Sequence, residues 1–498
     1  MAIKRYFANA DNTISNAFQE NLTIRGTGSN MGQADILETF SIYAQESSTS
    51  TELARIILQF PVIEEIKVDK DAGLIPASGV TYYLKMFNAR HPHTLPKNYK
   101  LDVLAVSSSW EEGNGLDMEN YSDLTFDKIG SNWVRRAGPT SWTTAGGDYH
   151  ASPIYVASFD KGDEDLEVNV TTLVDEWIAG TKDNYGFGVH LSASYEASSS
   201  SNPEGAVFSY YTKKFFARSS EFYFSRPVLE ARWDSTRKDN RANFYLSSSL
   251  APAVENLNTL YMYNYIRGNL RDIAGDSNAR PVLNLYYSSG SVPEGTARYF
   301  RNSSNTAVNF LSASRESKGV YKATFSVTAS AVTATYPYLV DVWTMSGSQL
   351  HTGSVITPKE HSFSNYNPNS KYVVSVKNLK PKYNRGQTER FRFFVREKNW
   401  SPNVYTTAKA TPENLLIESA SYQVTRASDK KIVIPYGTGS TAETMLSYDS
   451  DGNYFDLDMD LLEEGYTYEM KLSFYEDSLS SYREQPYTFK IRVEQDEY

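Results

Sequence analysis

Asp175, Glu176 and Trp177 stand in a row within VNVTTLVDEWIAGTKDNYGFGV (Val168 to Val189), with Asp183, Asn184 and Gly186 close behind. Neighbouring carboxylates invite an acid–base reading. On a helix, however, adjacent side chains point about 100° apart, so Asp175 and Glu176 cannot flank one substrate atom. Glycoside hydrolysis needs two carboxylates at a set separation across a cleft. A structural reading accounts for the whole stretch. Thr171 or Thr172 is placed to cap the first turn. Leu173, Val174, Trp177 and Ile178 share one face, and Gly180 suits a left-handed C-terminal cap. The expected element is a lid that lays Leu173, Trp177 and Ile178 over the open end of a sheet sandwich.

The other candidates for chemistry are sparse. The six histidines are His91, His93, His150, His190, His351 and His361. Only His91 and His93 are close. They would share a strand face as zinc ligands can, but Pro92 breaks the strand and no third ligand is marked, so an exposed loop is expected. The acidic loops DKGDEDLE (Asp160 to Glu167) and EEGNGLDMEN (Glu111 to Asn120) offer oxygens of the kind calcium needs, without EF-hand spacing. No cofactor is expected, and a structural calcium is the single metal candidate. DSDGN (Asp449 to Asn453) reads as a hairpin turn. After it, Phe455, Leu457 and Met459 alternate with Asp456, Asp458 and Asp460, and such an acidic row suits a guarded sheet edge. Lys377, Lys380, Lys382, Arg390, Arg392 and Arg396 lie among aromatic residues, a mixture that single-stranded nucleic acid can use. A formal net charge of -10 argues against that partner. A solvated strand face, or a patch turned to an acidic neighbour, is expected instead.

Trp110, Trp133 and Trp142 fall in a Gly-rich stretch between strands and are the candidate glycan or interface aromatics. Exposed indoles stack on sugar rings; the alternative is burial under long loops. The chain holds no cysteine, which removes disulfides, thiolate metal sites and Cys nucleophiles. GxSxG, a phosphate-cradling Gly loop and a zinc signature are all missing. The expectation is therefore a protein that is not an enzyme.

The elements that must position these residues are mostly strands. ARIILQF alternates Ile56, Leu58 and Phe60 against Arg55 and Gln59, and YKLDVLAV repeats the pattern with Leu101, Val103 and Ala105. Helical period is read only at Asp35 to Tyr43 and in the Val168 stretch. With 37 Tyr and aromatics at 14%, the composition favours strands and adhesive faces. Two composition breaks divide the chain: DSTRKDNR (Asp234 to Arg241) is polar and charged with no strand pattern, and TPKEHSFSNYNPNS (Thr357 to Ser370) reads as a linker. The expected fold is all-β, with domains at residues 1–235, 241–357 and 370–498. The first is a jelly-roll-like β-sandwich with short capping helices, and the other two are immunoglobulin-like sandwiches. MAIKRYFANADNTISNAF has a basic start with no apolar run behind it, so it is not expected to act as a signal peptide. No run is long and apolar enough to suggest a membrane span.

ARIILQF, SSSWEEGNGLDMENY, SWTTAGGDY, VNVTTLVDEWIAGTKDNYG and SRPVLEARW occur in the order seen in DNRLRE-type modules, which the first half of the chain resembles. The resemblance implies a sandwich without shared catalytic apparatus. It assigns its Trp-x-Glu-Gly loop to Trp110, Glu112 and Gly113, and its helix end to Trp177 and Gly180. The whole chain is also similar to virion structural proteins of marine tailed phages of the cyanophage and pelagiphage type. That likeness rests on MAIKRYFANADNTI, SVKNLKPKYNRGQTERFRFFVREKNWSP and YDSDGNYFDLDMDLLEEGYTYEMKLSFY. It implies a structural protein of the neck, tail or fibre apparatus or of the capsid surface, made in a bacterial cytoplasm and located in the virion. Expected partners are other virion proteins, including copies of itself in a symmetric particle. Neither nucleic acid nor membrane is expected as a partner. The alternative is a virion adhesin for a host receptor or host-surface glycan.

Overall fold

The structure, a computed structural model, describes residues 2–19, 21–91, 94–116, 130–199, 201–361, 370–400 and 414–495. It forms two compact units, Ala2–Trp233 and Asp234–Tyr498. Both are built almost wholly of antiparallel strands packed as sandwiches.

In the first unit a four-stranded sheet runs in the order Ile3–Phe7, Val228–Trp233, Val80–Met86, Leu166–Asn169. The larger sheet runs Tyr210–Phe216, Ile36–Tyr43, Thr51–Gln59, Phe187–Leu191, Tyr99–Ala105, Tyr155–Phe159. Ala10–Ser15 also pairs with the long Thr51–Gln59 strand. Period-two alternation drives this arrangement. Ile56, Leu58, Leu101, Val103, Tyr82 and Leu84 all point into one buried core between the sheets. The outer face of the smaller sheet is charged yet covered. Glu230 lies opposite Arg5, accepts from Arg5 Nε at 2.7 Å and from Arg232 Nε at 2.8 Å, and has Lys85 Nζ at 3.7 Å.

The lid helix spans Thr171–Ala179 and buries Leu173, Val174 and Trp177. The Trp177 ring meets Phe187 edge-on at 4.9 Å. Gly180 closes the helix at φ 70°. The N-terminal cap differs from expectation. Val170 occupies the cap position without a side-chain bond. Thr171 instead accepts the Tyr82 amide at 2.9 Å, and Asn169 Oδ1 takes the Thr171 amide at 3.1 Å. The strand before the helix thus supplies the cap. Asp175 and Glu176 pair with Lys70 at 3.7 Å and Lys182 at 2.7 Å, on the outside of the lid.

Two local readings are corrected. Asp35 to Tyr43 is not helical, because Ile36–Tyr43 is a strand with alternating burial. Its β-branched Ile36, Thr39 and Ile42 favour the pleated surface, and its neighbour Thr51–Gln59 fixes it. A helical segment unmarked by the sequence, Val62–Lys67 continuing as Val68–Asp71, buries Val62 and Ile66. Asp69 ties it down by accepting from Tyr6 Oη at 2.6 Å.

The second unit holds two sandwiches. One pairs the Asn258–Tyr263, Val320–Ser326 and Phe300–Asn302 sheet with the Val282–Ser288, Tyr338–Met345 and Ser348–Thr352 sheet. Leu260, Leu283, Phe325 and Trp343 lie between them. The other has Tyr372–Val376, Thr388–Glu397 and Gly452–Asp458 in one sheet, and Ala420–Arg426, Thr467–Glu476 and Ser481–Glu494 in the second. Tyr422 and Phe455 stack across it at 3.8 Å. Both show the layered antiparallel build of immunoglobulin-like domains.

The polar break at Asp234 to Arg241 is firmly bonded. The Asp239 amide donates to Tyr448 O and the Tyr448 amide to Arg237 O, each at 3.0 Å. Arg241 Nη2 reaches the fully buried Asp341 at 2.5 Å. Polar composition here reflects a bonded crossing, not solvation. Of the expected linker at Thr357 to Ser370, residues 357–361 are described, and Lys359 exchanges backbone bonds with Phe244 and Leu246; residues 362–369 lie outside the described residues.

Candidate functional site

The acids and bases singled out by sequence are largely engaged with one another. Arg390 forks onto Asp456 at 2.7 and 3.0 Å, and Arg392 onto Asp449 at 2.9 and 2.8 Å. Lys380 pairs with Glu389 and Lys382 with Glu494. The Lys377 ammonium donates to Asp451 O, and Arg396 lies over the Trp400 ring. The acidic neighbour of this basic patch is therefore the chain itself. Gly452–Asp458 pairs with Thr388–Glu397 on one side, and on the other with Ser447–Asp449 over Gly452–Tyr454 only, so Asp456 and Asp458 stand on the stretch beyond that second partner.

The Asp160 to Glu167 loop folds around the chain's own ammonium. Lys213 Nζ donates to Gly162 O at 3.0 Å, Glu164 O at 2.7 Å and Asn88 Oδ1 at 2.6 Å. His93 and residues 117–120 of the other acidic loop lie outside the described residues, while His91 Nε2 accepts the Lys214 amide. Among the described residues no group of three or more His, Asp or Glu is arranged to hold a metal ion.

Glu112 forks onto Arg218 and also accepts the Asp11 amide at 2.8 Å. Gly113 has φ 82° because Asn30 packs where a Cβ would stand. Asp11 itself is 1% exposed and one of its oxygens has no partner. Burial pushes its carboxyl up to about 7, against the opposing pull of the Arg218 amide. A raised carboxyl costs stability above its folded pKa, and that cost is relieved as pH falls towards the ordinary value near 3.8. The stability difference between Asp11→Asn and wild type is expected to rise by roughly 4 kcal/mol from pH 4 to pH 8. Urea titrations across that range check this, and a flat difference would contradict it.

The richest polar constellation sits on the second face of the larger sheet. Arg55 and Ile57, Asp102 and Leu104, and Gly188 and His190 alternate with the core residues of their strands and so face away from the core. Register sets His190 opposite Asp102 and Gly188 opposite Leu104. Loop residues cover this face and make a small second core of Ile14, Leu53, Ile57, Val106, Trp133, Trp142 and Ala197, with Trp110 packed against it. The three candidate tryptophans are thus brought together as packing. Trp142 Nε1 donates to Asn132 O at 2.8 Å and Trp110 Nε1 to Tyr185 O at 2.9 Å. Trp133 lies 5.5 Å beneath the Arg55 guanidinium.

Beside this layer opens a cavity of about 650 Å³. Its floor depends on Gly188, where a Cβ would come within 2.1 Å of the Tyr149 ring. Arg55 and Glu196, both buried, form a two-point ion pair at 2.8 and 2.6 Å. Asp148 accepts from the Thr143 and Thr144 amides at 3.0 Å and from Ser108 Oγ at 3.2 Å. Asp102 Oδ1 accepts from Ser192 Oγ. His190 Nδ1 lies 2.9 Å from Leu191 O. A carbonyl only accepts, so Nδ1 carries the proton and Nε2 keeps its lone pair. Burial, aided by the Arg55 charge, lowers the His190 pKa and keeps the ring neutral at pH 7. Asn202 Nδ2 is spent on Ala193 O at 2.9 Å and Glu196 O at 3.3 Å, which leaves its oxygen as acceptor.

Carboxylates from separate segments therefore do meet at one cavity, but most of their capacity is committed to amides, a guanidinium and a hydroxyl. Asp102 Oδ2, His190 Nε2 and Asn202 Oδ1 are left as acceptors, and the Ser107, Thr143 and Thr144 hydroxyls and the His150 ring line the same cavity with donor capacity. Such an arrangement holds a ligand rich in hydroxyl groups. Sequence alone did not assemble it, because Arg55, Asp102, Asp148, His190 and Asn202 come from four distant stretches. The available signal was polar residues alternating within otherwise apolar strands, in YKLDVLAV and FGVHLS.

No protein-family model matches the chain, and no curated protein matches it. Among solved structures, the fibronectin(III)-like modules of Clostridium thermocellum CbhA match with 12% identity over 53% of this chain and 92% of theirs, at TM-score 0.15. The Yersinia pseudotuberculosis adhesin InvE matches with 12% identity over 47% of this chain and 54% of its own, also at 0.15. The Ig1-2 module of the Drosophila receptor protein tyrosine phosphatase DLAR matches with 10% identity over 48% of this chain and 91% of its own, at 0.13. Likeness at this level carries no information on ligand or activity.

Proposed function

We propose that the chain is a non-enzymatic structural protein of a bacteriophage virion, an assembly scaffold that works through its surfaces. The observation that carries the reading is an aromatic edge. Tyr210–Phe216 is the outermost strand of the larger sheet in the first unit. Phe208 and Tyr210 at its start are 61% and 70% exposed. Tyr43 braces Phe208 edge-on at 4.8 Å, and Tyr211 stacks beside Tyr210 at 5.5 Å. Ordered aromatic side chains on an edge strand are strong association points. Neighbouring virion subunits, including further copies of the chain, are the partners this reading assigns to them. The virion setting is supported by the resemblance of the MAIKRYFANADNTI, SVKNLKPKYNRG and YDSDGNYFDLDMD stretches to marine phage structural proteins.

Mass spectrometry of gradient-purified particles tests the setting: the chain is expected among virion proteins, and its presence in lysate but not in particles would refute it. The double variant F208E/Y210E is expected to change folding stability by no more than about 0.5 kcal/mol while lowering incorporation into particles several-fold. Unchanged incorporation would remove the edge from the account. A second reading, a virion adhesin for a host-surface glycan, is favoured by the polar cavity.

A further inference from the structure

We infer that the cavity over the second face of the larger sheet is a binding site for a neutral sugar residue, held by Asp102, His190 and Asn202. Its volume of about 650 Å³ falls within the range of small-molecule sites. Asp102 Oδ2, His190 Nε2 and Asn202 Oδ1 accept, while the Ser107, Thr143 and Thr144 hydroxyls and the His150 ring on the same lining can also donate, so the ligand must combine donors with acceptors, as sugar hydroxyls do. Charge selects further. Arg55 is neutralised by Glu196 in a two-point pair, while Asp102 and Asp148 contribute unbalanced carboxylates, so an anion is disfavoured. A metal ion would require convergent ligands, which the described residues do not supply. Leu104, Ile154 and Tyr149 line the same cavity as these polar groups. Ile154 is 50% exposed, and so offers apolar surface to a ligand. Hydroxyl donors combined with an apolar C–H face are the chemistry of a pyranose ring. An organic ammonium would satisfy the acceptors but make no use of the apolar lining.

The site is built, since every group that shapes it is fixed from behind. Asp148 is fastened by two amides and a hydroxyl, and the His190 ring by Leu191 O and by Tyr149 at 5.4 Å. Asn202 is held by two carbonyls. The tryptophans act as the second layer, with Trp133 under Arg55. The inference does not depend on whether the chain resides in a virion.

Saturation-transfer NMR on the full chain tests it. The probes are the methyl glycosides of glucose, galactose, mannose, N-acetylglucosamine and N-acetylgalactosamine, with methyl glucuronide and spermidine as charged comparators. At least one neutral glycoside is expected to bind, and at least tenfold more tightly than the uronide. His190→Phe keeps the ring against Tyr149 but removes the acceptor. Ala151→Trp, at an exposed rim position, fills the mouth without touching the core. Each is expected to weaken binding tenfold or more. No transfer to any neutral glycoside, binding unaltered in Ala151→Trp, or spermidine bound in preference to every sugar would each overturn the inference.

Discussion

Asp341→Ala is expected to destabilise the Asp234–Tyr498 unit by about 3–5 kcal/mol. Asp341 is fully buried on the Tyr338–Met345 strand. Its carboxylate accepts from Arg241 Nη2 at 2.5 Å and from Trp343 Nε1 at 2.6 Å. Truncation orphans the indole N–H and leaves the guanidinium only Asp239, itself a buried group whose pKa burial raises. An unpaired buried charge costs far more than the pair contributes. The damage spreads because Arg241 belongs to the crossing segment that bonds Tyr448. Both donors reach the same oxygen, Oδ2, so Asp341→Asn can keep an acceptor for both while losing the charge, and should cost about half as much. Urea unfolding followed by circular dichroism and by tryptophan fluorescence measures both variants. A loss below about 1 kcal/mol for the alanine variant would mean that the network does not hold this unit together.

Glu230→Ala should cost the first unit a similar amount, about 3 kcal/mol. Burial alone would raise the Glu230 pKa, but Arg5, Lys85 and Arg232 outweigh it and hold the carboxyl far below its usual range. Without Glu230, Arg5 loses its direct partner across the strands, and Lys85 and Arg232 keep only the more exposed Glu167. The pH dependence has a definite sign. A depressed carboxyl contributes stability that is present above its ordinary pKa and lost as pH falls through the folded value. The penalty of Glu230→Ala is therefore expected to be full at pH 7 and to shrink below about pH 4. Glu230→Gln, which keeps the shape, should follow the alanine variant at pH 7 to within about 1 kcal/mol. A glutamine variant as stable as wild type would show that packing, not charge, matters there.

Much of the fold was legible because burial imposes period two. Ile56, Leu58 and Phe60, and Leu101, Val103 and Ala105, face the core as their alternation requires. The lid helix was readable from one apolar face and one glycine, since both signals are local. Its cap was not, because Asn169 supplies the accepting oxygen from the preceding strand. Asp35 to Tyr43 misled because a few apolar residues fit both periods, and only the Thr51–Gln59 partner decides between them. Asp234 to Arg241 showed only as a polar break because its bonds reach residues 80 to 210 positions away. The candidate site was the least legible part. The tryptophans were visible as a cluster, but the acceptors beside them meet only once strand register places His190 opposite Asp102.

Across the chain, acids and cations that composition offers for chemistry are used to brace sheets. Glu230 ties three cations on an outer sheet face, Lys213 fills its own acidic loop, and Arg390 and Arg392 lock onto aspartates of the neighbouring strands. Among the described residues, an aromatic edge and a polar cavity stand apart from this bracing.

A cryo-EM reconstruction of the phage particle proposed to carry this chain tests the scaffold reading most directly. The account predicts density for its β-sandwiches in repeated copies, with Tyr43, Phe208 and Tyr210 seated against a neighbouring subunit. A particle complete without the chain, or one in which that edge faces open solvent in every copy, would contradict it.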